Sequence, residues 1–335
     1  MRIPPRSGRF YPRLRARILK DDVSTFDPGY EATLKSQDFC VNIKTNSLGF
    51  RERELFEPDG SLQSPVLFIG DCIFMGYGVE EQDRVTNRLA DIARERGISR
   101  PVINLSFIGW RTNNYFSCLT NFYERLRPQN VVVGIYIGFE FGAVPRPARS
   151  REEVKKPGGF KKVLRDLLRL SPLLNLSMRG LWASQSFRAH FNKKELMNER
   201  VDIYLKDQTQ KQKELYDNTT AYLSMMADYA KDKGVDFLVV LIPDHLQVLE
   251  KDIFTGLDRE KPQRILNRHC ADNGIKCLDL LAAFENHPRP ASLYFDMDKH
   301  WSCAAHRFAA DVLADEIFSD YRNERSKPSS VQPAG

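Results

Sequence analysis

A three-layer α/β/α sandwich around a parallel sheet is the fold class this sequence predicts, on two observations. Five short apolar runs read as strands buried on both faces, and segments of helical period separate them. Turn residues such as Gly97 and Pro128-Gln129-Asn130 stand between the two kinds of segment.

The candidate strands are 66–70, 102–105, 131–137, 235–242 and 276–280. After the first, Val85, Leu89, Ile92 and Ala93 recur at helical spacing, and Gly97 stops that helix. Further helices are expected at about 114–127 and 215–233. A last helix over 303–317 sets Phe308, Val312, Leu313 and Ile317 on one face, with Ser302 as its N-cap. A doubly covered parallel sheet carries its chemistry at the carboxyl ends of the strands.

Around this main domain (61–325) the sequence predicts three additions. Residues 1–60 read as a small N-terminal lobe, with turns at Asn46-Ser47-Leu48-Gly49-Phe50-Arg51 and Pro58-Asp59-Gly60. Residues 143–214 read as a helical insertion, in which Phe160, Val163, Leu164, Leu167 and Leu168 form an apolar stripe ended by Pro172. It is either a lid over the site or an ordinary surface helix. Residues 326–335 read as a disordered tail.

The 335 residues suffice for one large domain or two modest ones, and 42% hydrophobic with 28% charged residues fits a soluble globular protein. The apolar runs fall far short of the roughly 20 residues of a membrane span, so no transmembrane segment is expected. Residues 1–20 are Arg-rich without an apolar signal core, which points to the cytoplasm. Much of the net charge of +6 is local: 151–200 holds twelve Lys/Arg against five acids. That excess is a solvated helical face, a surface for an acidic or carrier-linked substrate, or a membrane contact. No aromatic-basic recognition motif accompanies it, so no nucleic-acid partner is expected. Six cysteines, none in a CxxC pair, give no disulfide framework. Neither His300 with Cys303 nor His269 with Cys270 has the paired spacing of a zinc site, so no metal or cofactor is expected.

Four stretches carry chemistry. In Phe68-Ile69-Gly70-Asp71-Cys72-Ile73-Phe74-Met75-Gly76-Tyr77-Gly78-Val79 a cysteine follows the end of the first strand, where it is expected to be exposed and activated as thiolate. The alternative is a structural cysteine in the core. In Phe295-Asp296-Met297-Asp298-Lys299-His300-Trp301, Asp298 can orient the imidazole of His300, and His300 can take a proton from a thiol. Asp296 is a competing carboxylate, and His306, six residues on, serves packing or capping. In Asn104-Leu105-Ser106-Phe107-Ile108-Gly109-Trp110, Gly109 lets backbone N–H groups approach a substrate or simply makes a turn. The fourth stretch, Tyr136-Ile137-Gly138-Phe139-Glu140-Phe141, ends the third strand.

Together these blocks resemble the SGNH/GDSL hydrolases, in the bacterial branch whose first block reads Gly-Asp-Ser-Phe-Thr-Phe-Gly and whose last reads Asp-x-His-Trp. Cys72 stands where that family has its nucleophilic serine. The 46–51 stretch and Leu241-Ile242-Pro243-Asp244 resemble the same branch, so the likeness spans about 40–320. It implies a flavodoxin-like five-stranded sheet, a catalytic set of Cys72, His300 and Asp298, and an oxyanion hole from the N–H groups of Cys72 and Gly109. The third block normally reads Gly-Asn-Asp, its asparagine donating to the oxyanion, whereas this chain reads Gly138-Phe139-Glu140. Phe139 cannot donate. One lost donor costs about 2.7–4 kcal/mol, or roughly 10²–10³ in rate. Asp71, Arg111, Asn113, Asn114, Phe139 and Glu140 are candidate substrate contacts, and Arg111, Asn113 or Asn114 can replace the missing donor.

Three functions are compatible with this reading. One is cysteine-dependent acyl transfer or ester hydrolysis through a thioester. The second is a non-catalytic binding module on a degenerate hydrolase fold. The third is acid–base chemistry at Cys72 or His300.

Overall fold

The computed structural model describes residues 17–20, 23–55, 64–141 and 201–319. The chain opens with two antiparallel pairs, β1 (Arg17–Lys20) with β2 (Val23–Thr25), and β3 (Glu31–Lys35) with β4 (Cys40–Lys44). The central elements follow: β5 (Val66–Ile69), α1 (Cys72–Met75), α2 (Val85–Glu95), β6 (Val102–Asn104), α3 (Thr112–Leu126), β7 (Asn130–Tyr136) and α4 (Ile137–Glu140). After them come α5 (Gln210–Asp232), β8 (Asp236–Ile242), α6 (His245–Leu249), α7 (Lys261–Asp272), β9 (Lys276–Asp279), α8 (Leu281–Glu285) and α9 (Cys303–Ile317).

Five strands pair in parallel in the order β6-β5-β7-β8-β9. Side chains alternate across a strand, so each strand feeds two cores. Leu67, Ile69, Val131, Val133 and Leu241 pack with Leu119, Leu223, Met226 and Leu266 of α3, α5 and α7. On the other face, Val66, Phe68, Val132 and Val240 meet Val85, Leu89, Ala309 and Leu313 of α2 and α9. The result is the three-layer α/β/α architecture, with the five strands expected from the apolar runs. The chain starts at β5, adds β6 on one side and returns to add β7 on the other. The crevice beyond the carboxyl ends of these strands is the switch point where such sheets bind ligands.

Several boundaries differ from expectation. The helix after β6 starts at Thr112 rather than about 114. Ile137, expected to end the third strand, instead opens the helical turn α4, which also holds Gly138-Phe139-Glu140. Residues 210–214, expected in the insertion, belong to α5, whose start is fixed by Thr209: its side chain accepts from Gln212 N–H. The basic segment 151–200 with its apolar stripe, the Pro58-Asp59-Gly60 turn and the 326–335 tail lie outside the described residues. No helix among the described residues is long and apolar enough to cross a membrane.

The 46–51 motif forms a tight turn. Asn46 Oδ1 accepts from the N–H groups of Leu48 and Phe50, each at 3.0 Å. Gly49 has φ +87°, and a Cβ there would lie 2.0 Å from the Phe26 carbonyl oxygen, so only glycine fits. The buried Arg51 then donates to the carbonyls of Gly76 (2.6 Å), Val79 (2.8 Å) and Asn42 (2.9 Å). One guanidinium thereby ties the N-terminal strands to the loop that follows α1. Val23, Phe26, Phe50 and Leu55 share the core of Phe107, Trp110 and Phe122, so the early segment is packed onto the sheet's flank.

Candidate active site

Cys72 is the first residue of α1, directly beyond β5. Asp71 caps this helix, accepting from Ile73 N–H at 2.9 Å, and Gly76 closes it at φ +80°. Strand, cap and helix together form a sharp bend that presents the thiol at the sheet edge. Cys72 is only 5% exposed, the buried setting that the sequence left as the alternative to an exposed thiol. Asp71 is also buried, and its carboxylate serves the cap; burial pushes its pKa up to about 6, against the Ile73 N–H bond and the His300 charge. Its Oδ2 also accepts from Cys72 Sγ at 3.7 Å, so the carboxylate touches the sulfur as well as capping the turn that carries it. A four-residue helix has little macrodipole, so the sulfur's electrostatic surroundings come from its side-chain partners.

The closer of these partners is His300. Its Nε2 lies 3.1 Å from Cys72 Sγ, and its Nδ1 makes a short hydrogen bond with Asp298 Oδ1. The loop that makes this possible is closely bonded. Phe295 N–H donates to the His300 carbonyl at 3.0 Å, Tyr294 bridges to Trp301, and Lys299 adopts φ +71°. The left-handed step at Lys299 folds Asp298 back toward the imidazole two residues later. Trp301 is fully buried and stacks on Phe284 at 5.1 Å, which anchors the loop to the core. Ser302 caps α9 as expected, through Ala304 and Ala305 N–H. His306 Nδ1 accepts from Val85 N–H at 3.2 Å; it caps α2 and stays neutral, because burial and the nearby Arg51 and Arg84 charges lower its pKa to about 3.

The electrostatics of the pair favour ions. Burial alone would lower the pKa of His300, but the Cys72 thiolate and the Asp298 carboxylate outweigh it and raise it to about 10. By reciprocity, the imidazolium favours the thiolate. Asp298, not the competing Asp296, is the carboxylate hydrogen-bonded to the imidazole. The ring of Tyr77 covers His300 at 4.6 Å between centroids.

Gly109 takes φ +80° in the loop after β6, and a Cβ there would meet nothing within 4 Å. The third block is arranged differently from the family pattern. Phe139 is half-buried and lies under the Arg111 guanidinium, 4.7 Å from its centroid. Arg111 Nη1 also donates to the Glu140 carbonyl at 3.1 Å. Asn114 Oδ1 accepts from Arg111 N–H at 3.1 Å, so that side chain helps start α3. Asn113 is half-buried in the same first turn. Glu140 is buried, and its Oε1 accepts from Thr112 Oγ1 at 2.8 Å and Thr112 N–H at 3.1 Å.

Sequence reasoning missed two contributors. Asp38, in the β3–β4 turn, accepts from Met297 N–H (2.9 Å) and Asp298 N–H (2.8 Å) and so holds the histidine loop from below. Burial, with the Asp298 and Asp296 charges nearby, raises its pKa against those two bonds. Phe39, next in the turn, packs on Phe295 and Tyr77. Nothing local in the sequence links positions 38 and 298; only the hairpin's docking does. Asp38→Ala is expected to slow any reaction that uses His300 by about tenfold through misplacement of the loop, with little change in KM. Steady-state kinetics beside a denaturation curve checks this. The second missed feature is the buried pair Asp244 and His245 at the end of β8, with His245 Nδ1 2.9 Å from Asp244 Oδ1. Asp244 caps α6 through Leu246 N–H, and a Cβ at Gly138 would come within 2.6 Å of its Oδ2.

Residues 203–332, which contain Asp298 and His300 but not Cys72, match the family described as "SGNH hydrolase-like domain, acetyltransferase AlgX". No curated protein matches the chain. Among solved structures the chain is similar to TesA, at 14% identity over 76% of this chain and 98% of that one, with TM-score 0.42. It is similar to an acetyl xylan esterase, AlAXEase, at 13% identity over 76% and 99%, TM-score 0.44. It is similar to a lipase/acylhydrolase from Enterococcus faecalis at 12% identity over 76% and 96%, TM-score 0.45. The fold is SGNH/GDSL-hydrolase-like, with a cysteine and a histidine in hydrogen-bond contact at the switch point of the sheet.

Proposed function

We propose that this protein is a cysteine-dependent acyl-transfer enzyme of the GDSFTFG/DxHW branch, with Cys72 as nucleophile, His300 as its proton partner and Asp298 as the orienting carboxylate. The observation that carries the reading is the 3.1 Å contact of His300 Nε2 with Cys72 Sγ, completed by Asp298 on Nδ1. The order nucleophile, imidazole, carboxylate is that of an activated nucleophile.

In this reading the Cys72 thiolate attacks the carbonyl carbon of an ester or thioester. A carbon–sulfur bond forms, and the bond to the leaving alcohol or thiol breaks as the His300 imidazolium gives up its proton. The backbone N–H groups of Cys72 and Gly109 stabilise the oxyanion. Neutral His300 then takes a proton from the acceptor, which attacks the thioester and expels the Cys72 thiolate. The acceptor is water in hydrolysis, or a hydroxyl, amine or thiol in transfer. The donor is a small-molecule or carrier-linked acyl group. No step calls for a cofactor or metal.

The test is intact-protein mass spectrometry after incubation with a panel of acyl thioesters and activated esters. Wild type is expected to gain the mass of the acyl group, and Cys72→Ala to gain none. Absence of an adduct in rapidly quenched wild type would favour a binding module on the same fold.

A further inference from the structure

The loss of the family's asparagine leaves open which side chain, if any, completes the oxyanion site. Phe139 cannot serve, and the Asn114 side chain is engaged at the start of α3. Glu140 is placed differently. It sits just beyond β7, while Thr112, which holds its Oε1, follows the Gly109 loop beyond β6. The carboxyl therefore bridges the two loops that flank the nucleophile's strand, β5. Its second oxygen, Oε2, is buried and has no hydrogen-bond partner among the described residues. Both loops lie beyond the carboxyl ends of the strands on either side of β5, which leads into the turn that carries Cys72.

A buried carboxylate oxygen with no donor is costly, whereas a carboxylic acid there carries a proton to offer. We propose that Glu140, in its protonated form, is the third oxyanion donor of this site: its Oε2–H hydrogen-bonds the acyl carbonyl oxygen beside the N–H groups of Cys72 and Gly109. The proton stays on Glu140 throughout; the bond strengthens as negative charge develops on the carbonyl oxygen and relaxes when the thioester forms. Thr112 holds the other oxygen, which fixes the direction of the O–H. The electrostatics support this assignment. Burial, reinforced by the Asp71 charge, raises the pKa of Glu140 to about 7, against the Thr112 bonds and Arg111. A neutral acid is therefore the form below that pH, and the donor is lost as pH rises through it.

The inference rests on the acyl-transfer reading, and its test separates the two. The rate of thioester acylation of Cys72 is followed by quenched-flow mass spectrometry in wild type, Glu140→Gln and Glu140→Leu. Iodoacetamide alkylation of the same thiol, which develops no oxyanion, is followed in parallel. Acylation relative to alkylation is expected to fall in wild type as pH rises through about 7. Glu140→Gln, whose amide donates at every pH, is expected to lack that fall. Glu140→Leu is expected to lose about 10²-fold in the acylation-to-alkylation ratio below neutral pH. A wild-type ratio that is flat across neutral pH, or a Glu140→Leu ratio equal to wild type, overturns the role of Glu140 and leaves the acyl-transfer reading standing. Absence of any wild-type adduct overturns both.

Discussion

His300→Ala is expected to slow acylation of Cys72 by about 10³-fold, the largest effect of any single change outside the nucleophile itself. Two losses combine. The thiolate loses the cation that stabilises it at 3.1 Å, and the leaving group loses its proton donor. The pH profile distinguishes them. Because the His300 pKa is raised to about 10, the imidazolium persists through neutral pH and is lost only as pH rises through that value. Acyl transfer by wild type is therefore expected to fall on that alkaline limb. His300→Ala should show no such limb, and its alkylation should follow an ordinary thiol, rising through about pH 8.5. Acylation and alkylation rates across pH check both statements. A variant that alkylates at the wild-type rate at neutral pH would mean that the imidazole does not activate the sulfur.

Asp298→Asn is expected to lower acyl transfer by about 10²-fold or more while leaving the fold intact. The carboxylate fixes which imidazole nitrogen faces the sulfur and is one of the charges that raise the His300 pKa. An amide gives neither a full charge nor a unique tautomer. The alkaline limb should accordingly move to lower pH as the rate falls. Asp296→Asn is the control: Asp296 does not hold the imidazole, and its rate is expected to stay within about twofold of wild type. Equal loss in both variants would move the orienting role away from Asp298. NMR of the histidine ring protons, titrated in both variants, gives an independent reading of the same shift.

The layered fold was legible because its strands are short, apolar on both faces and separated by helical periodicity, which few other architectures produce. Cys72, Asp298 and His300 were legible as motifs, and their contact follows from where parallel strands end. Glu140 was legible only as a candidate, since its neighbour Phe139 appeared to stand at the asparagine position. The helical turn α4 puts Glu140, not Phe139, into the buried carboxyl position against Thr112. Asp38 was not legible at all. It is an ordinary turn residue in sequence, and its importance arises from a hairpin docking 260 positions away from the Asp298 N–H it accepts. Whether Cys72 is exposed or buried was open in the sequence; in the structure His300, itself packed against Tyr77, lies 3.1 Å from the buried sulfur.

The distance along the chain between nucleophile and imidazole has a consequence for biogenesis. Cys72 and His300 are 228 residues apart, and the histidine loop needs both the final helix and the N-terminal hairpin in place. During synthesis the strand bearing Cys72 emerges long before His300 exists, so the nascent thiol has no cation beside it and is as unreactive as any other. Contacts this distant in sequence form late because loop closure must precede them. Under the acyl-transfer proposal, the reactive centre is switched on by completion of the fold, and unfinished chains are spared acylation of their own.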